Sequence, residues 1–378
     1  MFLAKKQQRY RCKRIFCQLL IIFLWQLSFV QIQAQVTGRC DNCHTMHNSQ
    51  DGTAVDPNGP NQYLLVSNCI GCHSSTDGGT WKDSTTGAPI VYNTAEPTYN
   101  TQKGLAGGNF YYVMQDQSKG HNVADIPGID EDENFPPTPG GLDTTSGATK
   151  TCGSCHDKPG ASGNLLVGDY CEGVYYSGCQ YCHGINSTHH ADDTTIDGST
   201  PGKSYRFLKT YVDRATSSPQ HSLDGVKGIE DVDYEKDVTS STHNEYCGTG
   251  VGDHSISRHC AFCHGEFHGI NDTQSGSSWI RHPSDHGLPG AGTEYAAYTI
   301  YSPEAPIARK ETVLDGMGGP SSDVETGTAD ADEVSCISCH RAHGSPYADM
   351  LRWDYSDMLA GGGGGSGGCF TCHTAKDD

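Results

Sequence analysis

The sequence predicts a fold of mostly irregular coil, with short helices and few short strands, whose interior is not filled by aliphatic side chains. Hydrophobic residues make up only 35% of the 378-residue chain, against about 45–50% in ordinary globular proteins. Glycine (47) and proline (17) are abundant, which favours turns over long regular elements. Cysteine (18) and histidine (19) are abundant as well. We therefore expect the chain to fold around groups that these two residue types hold.

The net negative charge of the chain argues against two classes of binding partner. The sequence has 45 acidic and 25 basic residues, which gives a formal net charge of −20. An acidic chain is repelled by the phosphates of nucleic acids and by anionic membrane surfaces. We therefore expect neither of them as a partner.

The first 34 residues have the pattern of a secretory signal peptide. A basic start is followed by an apolar stretch over residues 15–30 and by the small residue Ala34. A membrane anchor is the alternative, but it needs about 20 apolar residues, and Gln18 and Gln26 interrupt this stretch. We expect an exported chain, cleaved near Ala34, in which residues 35–378 form one elongated unit without a membrane span.

The motif C-x-x-C-H occurs seven times and carries the chemistry of the chain. It is the attachment signature of haem c: two thiols reach the two vinyl groups of one porphyrin, and the adjacent histidine binds the iron. The attachment cysteines are Cys40, Cys43, Cys69, Cys72, Cys152, Cys155, Cys179, Cys182, Cys260, Cys263, Cys336, Cys339, Cys369 and Cys372. The proximal ligands are His44, His73, His156, His183, His264, His340 and His373. The sequence thus predicts seven covalently attached haem c groups.

Two other uses of paired cysteines fit less well. Zinc sites need paired C-x-x-C units with no histidine at a fixed position, and a thioredoxin-like dithiol occurs once beside a βαβ unit. Outside the leader, Cys171 and Cys247 belong to no motif. They form either a disulfide or two separate thiols, since the sequence gives no distance between them.

The sixth ligand of each iron decides between electron transfer and chemistry on a small molecule. An iron with two histidine ligands is saturated, whereas an open position binds substrates. Histidines outside the motifs outnumber the motifs, and the whole chain has only 6 methionines, so we expect bis-His ligation. The predicted distal ligands are His47, His121, His189 or His190, His243, His268, His282 and His343, with His221, His254, His259 and His286 in reserve.

Most of the motifs come in doublets, which indicates duplication along a linear array. The doublets span residues 40–73, 152–183 and 336–373, and a single motif occupies residues 260–264. With about 50 residues for each haem, neighbouring rings have to lie nearly in contact. The predicted fold is therefore coil wrapped around a closely packed linear array of seven haems, which supply the missing apolar core.

The segments between the motifs contain few elements. Short strand-like runs occur at residues 89–92, 110–113 and 205–208. Short helices are expected around the motifs and within residues 346–359. An exposed loop is expected at residues 125–141, and a flexible glycine-rich loop at 361–368.

The doubled motifs, together with PGKSYRFLK, WIRHPSDHGLP and CISCHRAHGSPYADMLRWDY, resemble the multihaem c-type cytochromes of metal-reducing bacteria. This resemblance implies an exported bis-His protein of extracellular electron transfer. Some relatives polymerise into filaments of stacked haems, in which a histidine of the next subunit ligates one iron. His47 and His343 match the distal ligands that follow the first motif of a doublet, whereas Pro159 stands at this position in the second doublet.

Three functions remain open at this stage. The first is an electron conduit, not an enzyme, which passes electrons to redox partner proteins or extracellular acceptors and polymerises as a filament (nanowire) subunit. The second is a multihaem reductase with one open iron. The third is a monomeric electron store in the periplasm. The conduit would be secreted or held at the outer cell surface, with the periplasm as second choice.

Intact-protein mass spectrometry tests the number of haems. We expect the mature protein to weigh about seven haem groups more than its polypeptide, because each C-x-x-C-H motif is an attachment site. A mass that falls short by one haem or more would show that a motif is unoccupied.

Overall fold

The computed structural model describes residues 39–57, 59–61, 64–123, 126–128, 178–183, 189, 196–199, 203–212, 220–251, 254–261, 264, 282–361 and 367–376. The predicted leader, the third motif, Cys171, His190, His268 and most of the two predicted loops lie outside these residues. Within them, regular elements are short and separated by turns and coil, which confirms the coil-rich prediction. No helix in this part of the chain is long and apolar enough to cross a bilayer.

The helices are mostly single turns, and most of them carry a motif. They are α1 (Cys40–Cys43), α2 (Cys69–His73), α3 (Tyr111–Gln115), α4 (Ile256–Ala261), α5 (Glu311–Leu314), α6 (Cys336–Cys339) and α7 (Cys369–Cys372). Short 3₁₀ turns lie at Gln117–Lys119, Gly178–Tyr181, Tyr205–Phe207, Ala348–Met350 and Tyr355–Asp357. The last two turns fall in the region predicted to contain short helices.

The strands are also short. They are β1 (Ser49–Gln50), β2 (Thr53–Ala54), β3 (Ser74–Ser75), β4 (Tyr92–Asn93), β5 (Lys209–Val212), β6 (Gln220–Gly225), β7 (Gly228–Ile229), β8 (Glu245–Cys247), β9 (His286–Gly287), β10 (Ala308–Arg309) and β11 (Glu333–Val334). Five of them form one sheet in the order β7-β8-β10-β11-β9, in which only the pair β8 and β10 is parallel. The other described strands pair as β1-β2, β3-β4 and β5-β6.

A buried ion cluster joins the middle strands of this sheet. Arg309 of β10 donates from Nε to Glu245 Oε2 of β8 at 2.9 Å and from Nη1 to Asp332 Oδ2, beside β11. All three side chains are almost fully buried. Burying a guanidinium is unfavourable unless carboxylates surround it, and here two of them do. The cluster therefore fixes the register of strands that are too short to define it by backbone pairing.

Two of the predicted strand runs are wrong. Residues 110–113 lie in and beside α3, where Phe110 and Val113 are buried on one side of a helical turn. Residues 205–208 contain a 3₁₀ turn in which Arg206 has a φ of 47°, and the strand β5 begins only at Lys209. A run of four apolar residues fits one helical turn as well as it fits a strand, and the packing around the motifs decides which of them forms.

The hydrophobic residues in the described part of the chain form three small clusters, and each one contacts a motif. The first cluster (Ile70, Phe110, Val113, Val123 and Ile126) contains a residue of the second motif. The second (Tyr205, Val226, Tyr246, Ile256 and Ala308) packs against Ile337 of the sixth motif. The third (Leu288, Tyr298, Tyr301, Ile307 and Val324) packs against Cys372 of the seventh motif. Such small clusters do not make one continuous core, which agrees with an interior completed by bound groups.

A glycine contact holds the segment after the sixth motif close to the first half of the chain. Gly108 has a φ of +87°, and a Cβ placed on it would lie 1.9 Å from the carbonyl oxygen of Gly344. The backbone N–H of Asn109 donates to that same oxygen at 2.9 Å. Only glycine satisfies both the conformation and the close approach at position 108.

Substituting Gly108 tests this contact. We expect Gly108→Ala to lower the free energy of unfolding by about 3 kcal/mol or more, because it combines a left-handed backbone with an overlap. Gly292→Ala is the matched control, since Gly292 has a φ of +84° with nothing within 4 Å of the added Cβ. It should lose only about 1 kcal/mol. Denaturant unfolding followed by far-ultraviolet circular dichroism measures both, and equal losses would contradict the importance of the contact.

Candidate haem sites

Each motif that the structure describes forms a tight turn that brings its first cysteine and its histidine together, while Cys263 of the fifth motif lies outside the described residues. The backbone N–H of the motif histidine donates to the carbonyl oxygen of the first cysteine, which closes one helical turn. The lengths of these bonds are 2.8 Å for His44, 3.0 Å for His183, 3.1 Å for His264, 3.1 Å for His340 and 3.0 Å for His373. Four residues per turn bring both sulfur atoms to one side, as the attachment of one porphyrin through two vinyl groups requires.

Side chains before the motifs help to start these turns. Asn68 precedes α2, and its side chain accepts a hydrogen bond from the backbone N–H of Gly71 at 3.0 Å. Ser335 and Ser338 form a capping box at the start of α6. Because helices of four or five residues are unstable alone, such caps matter more here than in a long helix.

Hydrogen bonds that Nδ1 donates orient several of the predicted ligands. The acceptors are backbone carbonyl oxygens in most cases and a carboxylate in one. The distances are 2.8 Å for His73 to Pro89, 2.8 Å for His121 to Ala342, 2.7 Å for His183 to Arg206, 2.8 Å for His340 to Asp349, and 2.9 Å for His373 to Glu294 Oε1. Such a bond places the proton on Nδ1 and leaves the lone pair of Nε2 for a metal.

Four motif histidines face a second imidazole at nearly the same distance. A metal–histidine bond is about 2.0 Å long and the ring centre lies about 1.1 Å behind the nitrogen, so two imidazoles on one iron have centres about 6.2 Å apart. The ring centres are 6.4 Å apart for His73 and His189, 6.2 Å for His264 and His121, 6.1 Å for His183 and His343, and 6.2 Å for His373 and His282. The residues present therefore fit an iron between each pair.

The opposing histidines come from distant parts of the chain. His343 follows His340 by three residues but faces His183 of another motif. His189 follows His183 by six residues but faces His73. His121 lies far from any motif in sequence and faces His264. Each pair thus joins two segments of the chain that sequence spacing alone does not connect.

The protein environment keeps several of these imidazoles neutral. Loss of hydration, with smaller contributions from neighbouring imidazoles, lowers the pKa of His121 to about 4 and that of His343 to about 3. Loss of hydration also lowers the pKa of His73, His282 and His340. Only a neutral imidazole binds a metal, so these side chains are in the binding form at neutral pH.

Aromatic side chains that the sequence did not single out hold some of the rings. Phe110 stacks on His343 with 4.8 Å between ring centres, and Phe207 lies 5.1 Å from His189. Gly107 leaves room for His343, since a Cβ at position 107 would lie 3.0 Å from its Nδ1. No local pattern marks these residues, because they act only after distant segments have come together.

His243 does not fit the expectation that it is a distal ligand. Its ring is fully buried, with Nδ1 3.2 Å from Thr239 O and Nε2 3.1 Å from Glu245 Oε1. The ring also stacks on Tyr301 at 3.5 Å. With both nitrogens in hydrogen bonds, His243 has no lone pair directed at a metal. We therefore propose a structural role for it, next to the buried Glu245–Arg309 pair.

His47 and His340 have no opposing imidazole of this kind among the described residues. His340 is held by its Nδ1 bond to Asp349 O, as His73, His183 and His373 are by theirs. His47 is exposed and has a φ of 55°. The remaining predicted ligands, His156, His190 and His268, lie outside the described residues.

Sulfur atoms of successive motifs lie close together. The thiols of Cys260 and Cys336 lie close enough for each to shift the pKa of the other, and the backbone N–H of Cys336 donates to Ser257 Oγ at 3.2 Å, where α6 packs on α4. Cys43 and Cys72 likewise lie close enough to interact electrostatically. The same holds for Cys339 with Cys369 and Cys372. Porphyrins attached at these positions would be neighbours.

Comparisons with known proteins agree with this site. Residues 329–378 match the family model of the doubled CXXCH motif. The chain is 28% identical to the C-type cytochrome OmcS of Geobacter sulfurreducens, over 83% of this chain and 78% of the relative. Its fold is similar to that of the outer membrane cytochrome S filament from G. sulfurreducens, with a TM-score of 0.51, 19% identity and 85% of each chain covered. The OmcS nanowires from the same organism align with a TM-score of 0.48, 19% identity and 91% coverage. The motif and the relative support covalent attachment of haem c.

Removing His343 tests the pairing of distant histidines. We expect His343→Ala to convert one haem, the one attached at Cys179 and Cys182, from low spin to high spin, because His183 loses the imidazole that faces it. Electron paramagnetic resonance and the visible spectrum of the oxidised protein measure this change.

The control is His286→Ala, because His286 is paired with no motif histidine in the described part of the chain. It should leave the spectra unchanged. An unchanged spectrum for His343→Ala at full haem content would contradict the assignment of His343 as a ligand.

Proposed function

We propose that this multihaem c-type cytochrome, which resembles OmcS, is an exported electron conduit of extracellular electron transfer whose subunits join end to end. The observation that carries the proposal is the set of four histidine pairs with ring centres 6.1–6.4 Å apart. Two imidazoles at this distance would both be able to bind one iron placed between them. Bis-His ligation of all seven haems in one linear array is the extension of this pattern that we propose.

Haem c supplies a one-electron couple when it is bound. The protein residues would hold it in a saturated state: an Nδ1 hydrogen bond orients one imidazole in each of three pairs, and Phe110 stacks on His343, the partner of His183. A saturated site favours electron transfer over the binding of a substrate. It also changes little in geometry between oxidation states, because both ligands are fixed by the fold.

Contacts between motifs support a continuous path along the chain. The imidazole of His343 lies near those of His73, His121 and His183, which belong to three different pairs. A sulfur atom of the fifth motif lies close to one of the sixth, and a sulfur atom of the sixth lies close to one of the seventh. The first and second motifs meet through Cys43 and Cys72. These contacts between described motifs support a path from one haem position to the next.

His47 supports assembly with a second copy of the chain. It stands three residues after its motif histidine, as His343 does, but it is exposed instead of facing another motif. Met46 beside it is 73% exposed. At the other end of the chain, His340 lacks an opposing imidazole among the described residues, and Tyr355, which follows this motif, is 71% exposed. We propose that His47 of one subunit faces His340 of the next.

Such a contact joins two different surfaces of the same chain, so it extends into an open polymer unless it closes into a ring. The similar G. sulfurreducens structures are a filament and nanowires, and we propose the same kind of assembly here. Export through the leader would place the polymer outside the cell or on its outer surface. Redox proteins and extracellular acceptors would be its partners.

The second candidate is a reductase, and it rests on the same observation at His340. An iron without a sixth ligand binds small molecules, so a chain that stays monomeric with this position open would have the coordination of an enzyme. A monomeric electron store requires that the sixth position of this iron be closed by a ligand of the same subunit. Measurements of ligand binding and of oligomeric state together distinguish the conduit, the reductase and the store.

Carbon monoxide binding to the reduced protein tests the role of His47. We expect assembled wild-type protein to bind no carbon monoxide, because every iron is closed by strong ligands. His47→Ala should fail to form filaments and should bind about one equivalent, since His340 of each subunit then lacks its opposing imidazole.

Met46→Ala is the matched control, because it removes a neighbouring exposed side chain and keeps the ligand. It should still close the iron. Filaments of His47→Ala that bind no carbon monoxide would contradict the proposed contact. Binding of about one equivalent by assembled wild-type protein would favour the reductase.

A further inference from the structure

Two buried arginines beside the sixth motif have no carboxylate partner among the described residues. Arg341 is 4% exposed and Arg352 is 8% exposed. Arg341 donates to Leu105 O at 3.0 Å and to Gln102 Oε1. Arg352 donates to Ile337 O at 2.6 Å and to Pro303 O at 3.4 Å. All of these acceptors are neutral, and the two guanidinium groups are close enough to repel each other.

Two other arginines of the same chain, one buried and one partly buried, show that this situation is unusual. Arg309 contacts two carboxylates, those of Glu245 and Asp332. Arg206 pairs with Glu230 at 3.2 Å. The chain has 45 acidic residues, so acids are not scarce. Glu235 acts on Arg341 through space, but it forms no ion pair with Arg341. Because a buried charge without a counter-charge is strongly unfavourable, Arg341 and Arg352 require an anion from another source.

Buried hydroxyl groups near these arginines point to the same need. Tyr99 and Tyr112 lie near Arg341, and Tyr301 lies near Arg352. Their hydroxyl oxygens are buried, and none has a hydrogen-bond partner within the described structure. Phenols and guanidinium groups are both donors. The described residues therefore place buried donors together here without a carboxylate that pairs with either arginine.

The position of the arginines identifies the acceptor. Arg341 follows His340 directly, and the backbone N–H of Arg352 donates to Cys339 O at 2.9 Å. A short ladder, in which His340 pairs with Leu351, holds both arginines beside the motif. A haem attached there brings two propionate carboxylates, and arginine binds carboxylates through two parallel hydrogen bonds. We propose that Arg341 and Arg352 bind the propionates of the haem attached at Cys336 and Cys339.

This proposal rests on haem attachment at the sixth motif and not on filament formation. It assigns the two arginines a second effect besides positioning. Positive charges close to an iron stabilise the reduced state relative to the more positive oxidised state. The arginines therefore raise the reduction potential of the haem whose sixth position we assign to the next subunit.

Spectroelectrochemical titration of the full-length, haem-loaded protein tests the proposal. We expect Arg341→Gln and Arg352→Gln each to move one haem of the seven to lower potential, by about tenfold in its one-electron equilibrium constant, which is 59 mV. Arg352→Lys should retain most of the wild-type potential, because it keeps the charge. The control Arg39→Gln removes an exposed arginine next to Cys40 and should leave all potentials unchanged.

Titration curves of the glutamine variants that match wild type at full haem content would overturn the proposal. An equal shift in Arg352→Lys and Arg352→Gln would also overturn it, since packing and not charge would then be responsible. A shift confined to the haem attached at Cys260 would assign the arginines to the propionates of that haem and overturn the assignment to the sixth motif.

A second measurement applies where the glutamine variants lose haem. Redox difference infrared spectra of Arg352→Lys should show a displaced propionate carboxylate band, because an ammonium group replaces two parallel hydrogen bonds. An unchanged band would overturn the proposal. Neither measurement depends on filament formation or on carbon monoxide binding. If the conduit proposal fails, both measurements therefore still test the contact between the arginines and the propionates.

Discussion

Two imidazoles can share one iron only if their coordinating nitrogens face each other across a fixed gap, and the described histidines can be compared with this condition. Four pairs meet it within a few tenths of an ångström. Most members are held by a contact outside the pair, such as a hydrogen bond donated by Nδ1 or a stacked aromatic side chain. The turns, caps and short ladders of this chain are the means by which the gap is kept.

The same constraint explains why the chain has so little regular structure. A long helix or strand would place ligands at its own spacing, whereas each pair needs one residue from each of two separate segments. Short turns and coil allow every ligand to be placed individually, but they bury little apolar surface. The three hydrophobic clusters remain small and each contacts a motif, so much of the interior depends on the groups that the motifs hold.

The sequence predicts the parts of this site that are local. The turn from Cys336 to His340 follows from five adjacent residues, and the coil-rich fold follows from composition. The distal partners are not local: nothing near His121 specifies that it faces His264, and Phe110 belongs to a run that fits a strand as well as a helix. His243 has the isolated position expected of a ligand, yet Glu245, two residues later, binds its Nε2. The sequence shows Arg341 and Arg352 beside the sixth motif. Only the folded structure shows that, among the described residues, no carboxylate forms an ion pair with either of them.

The separation of paired histidines along the chain has a consequence for how the protein matures. His183 leaves the ribosome long before His343, which faces it in the folded chain. A haem joined to Cys179 and Cys182 during export would first meet the histidines already present, among them His121 and His189, and exchange them later. Contacts between residues so distant in sequence form slowly, and large chains pass through intermediates with incomplete packing. The rate at which wrong imidazoles dissociate from iron would then set the pace of folding, and the order of synthesis would determine which misligated states arise.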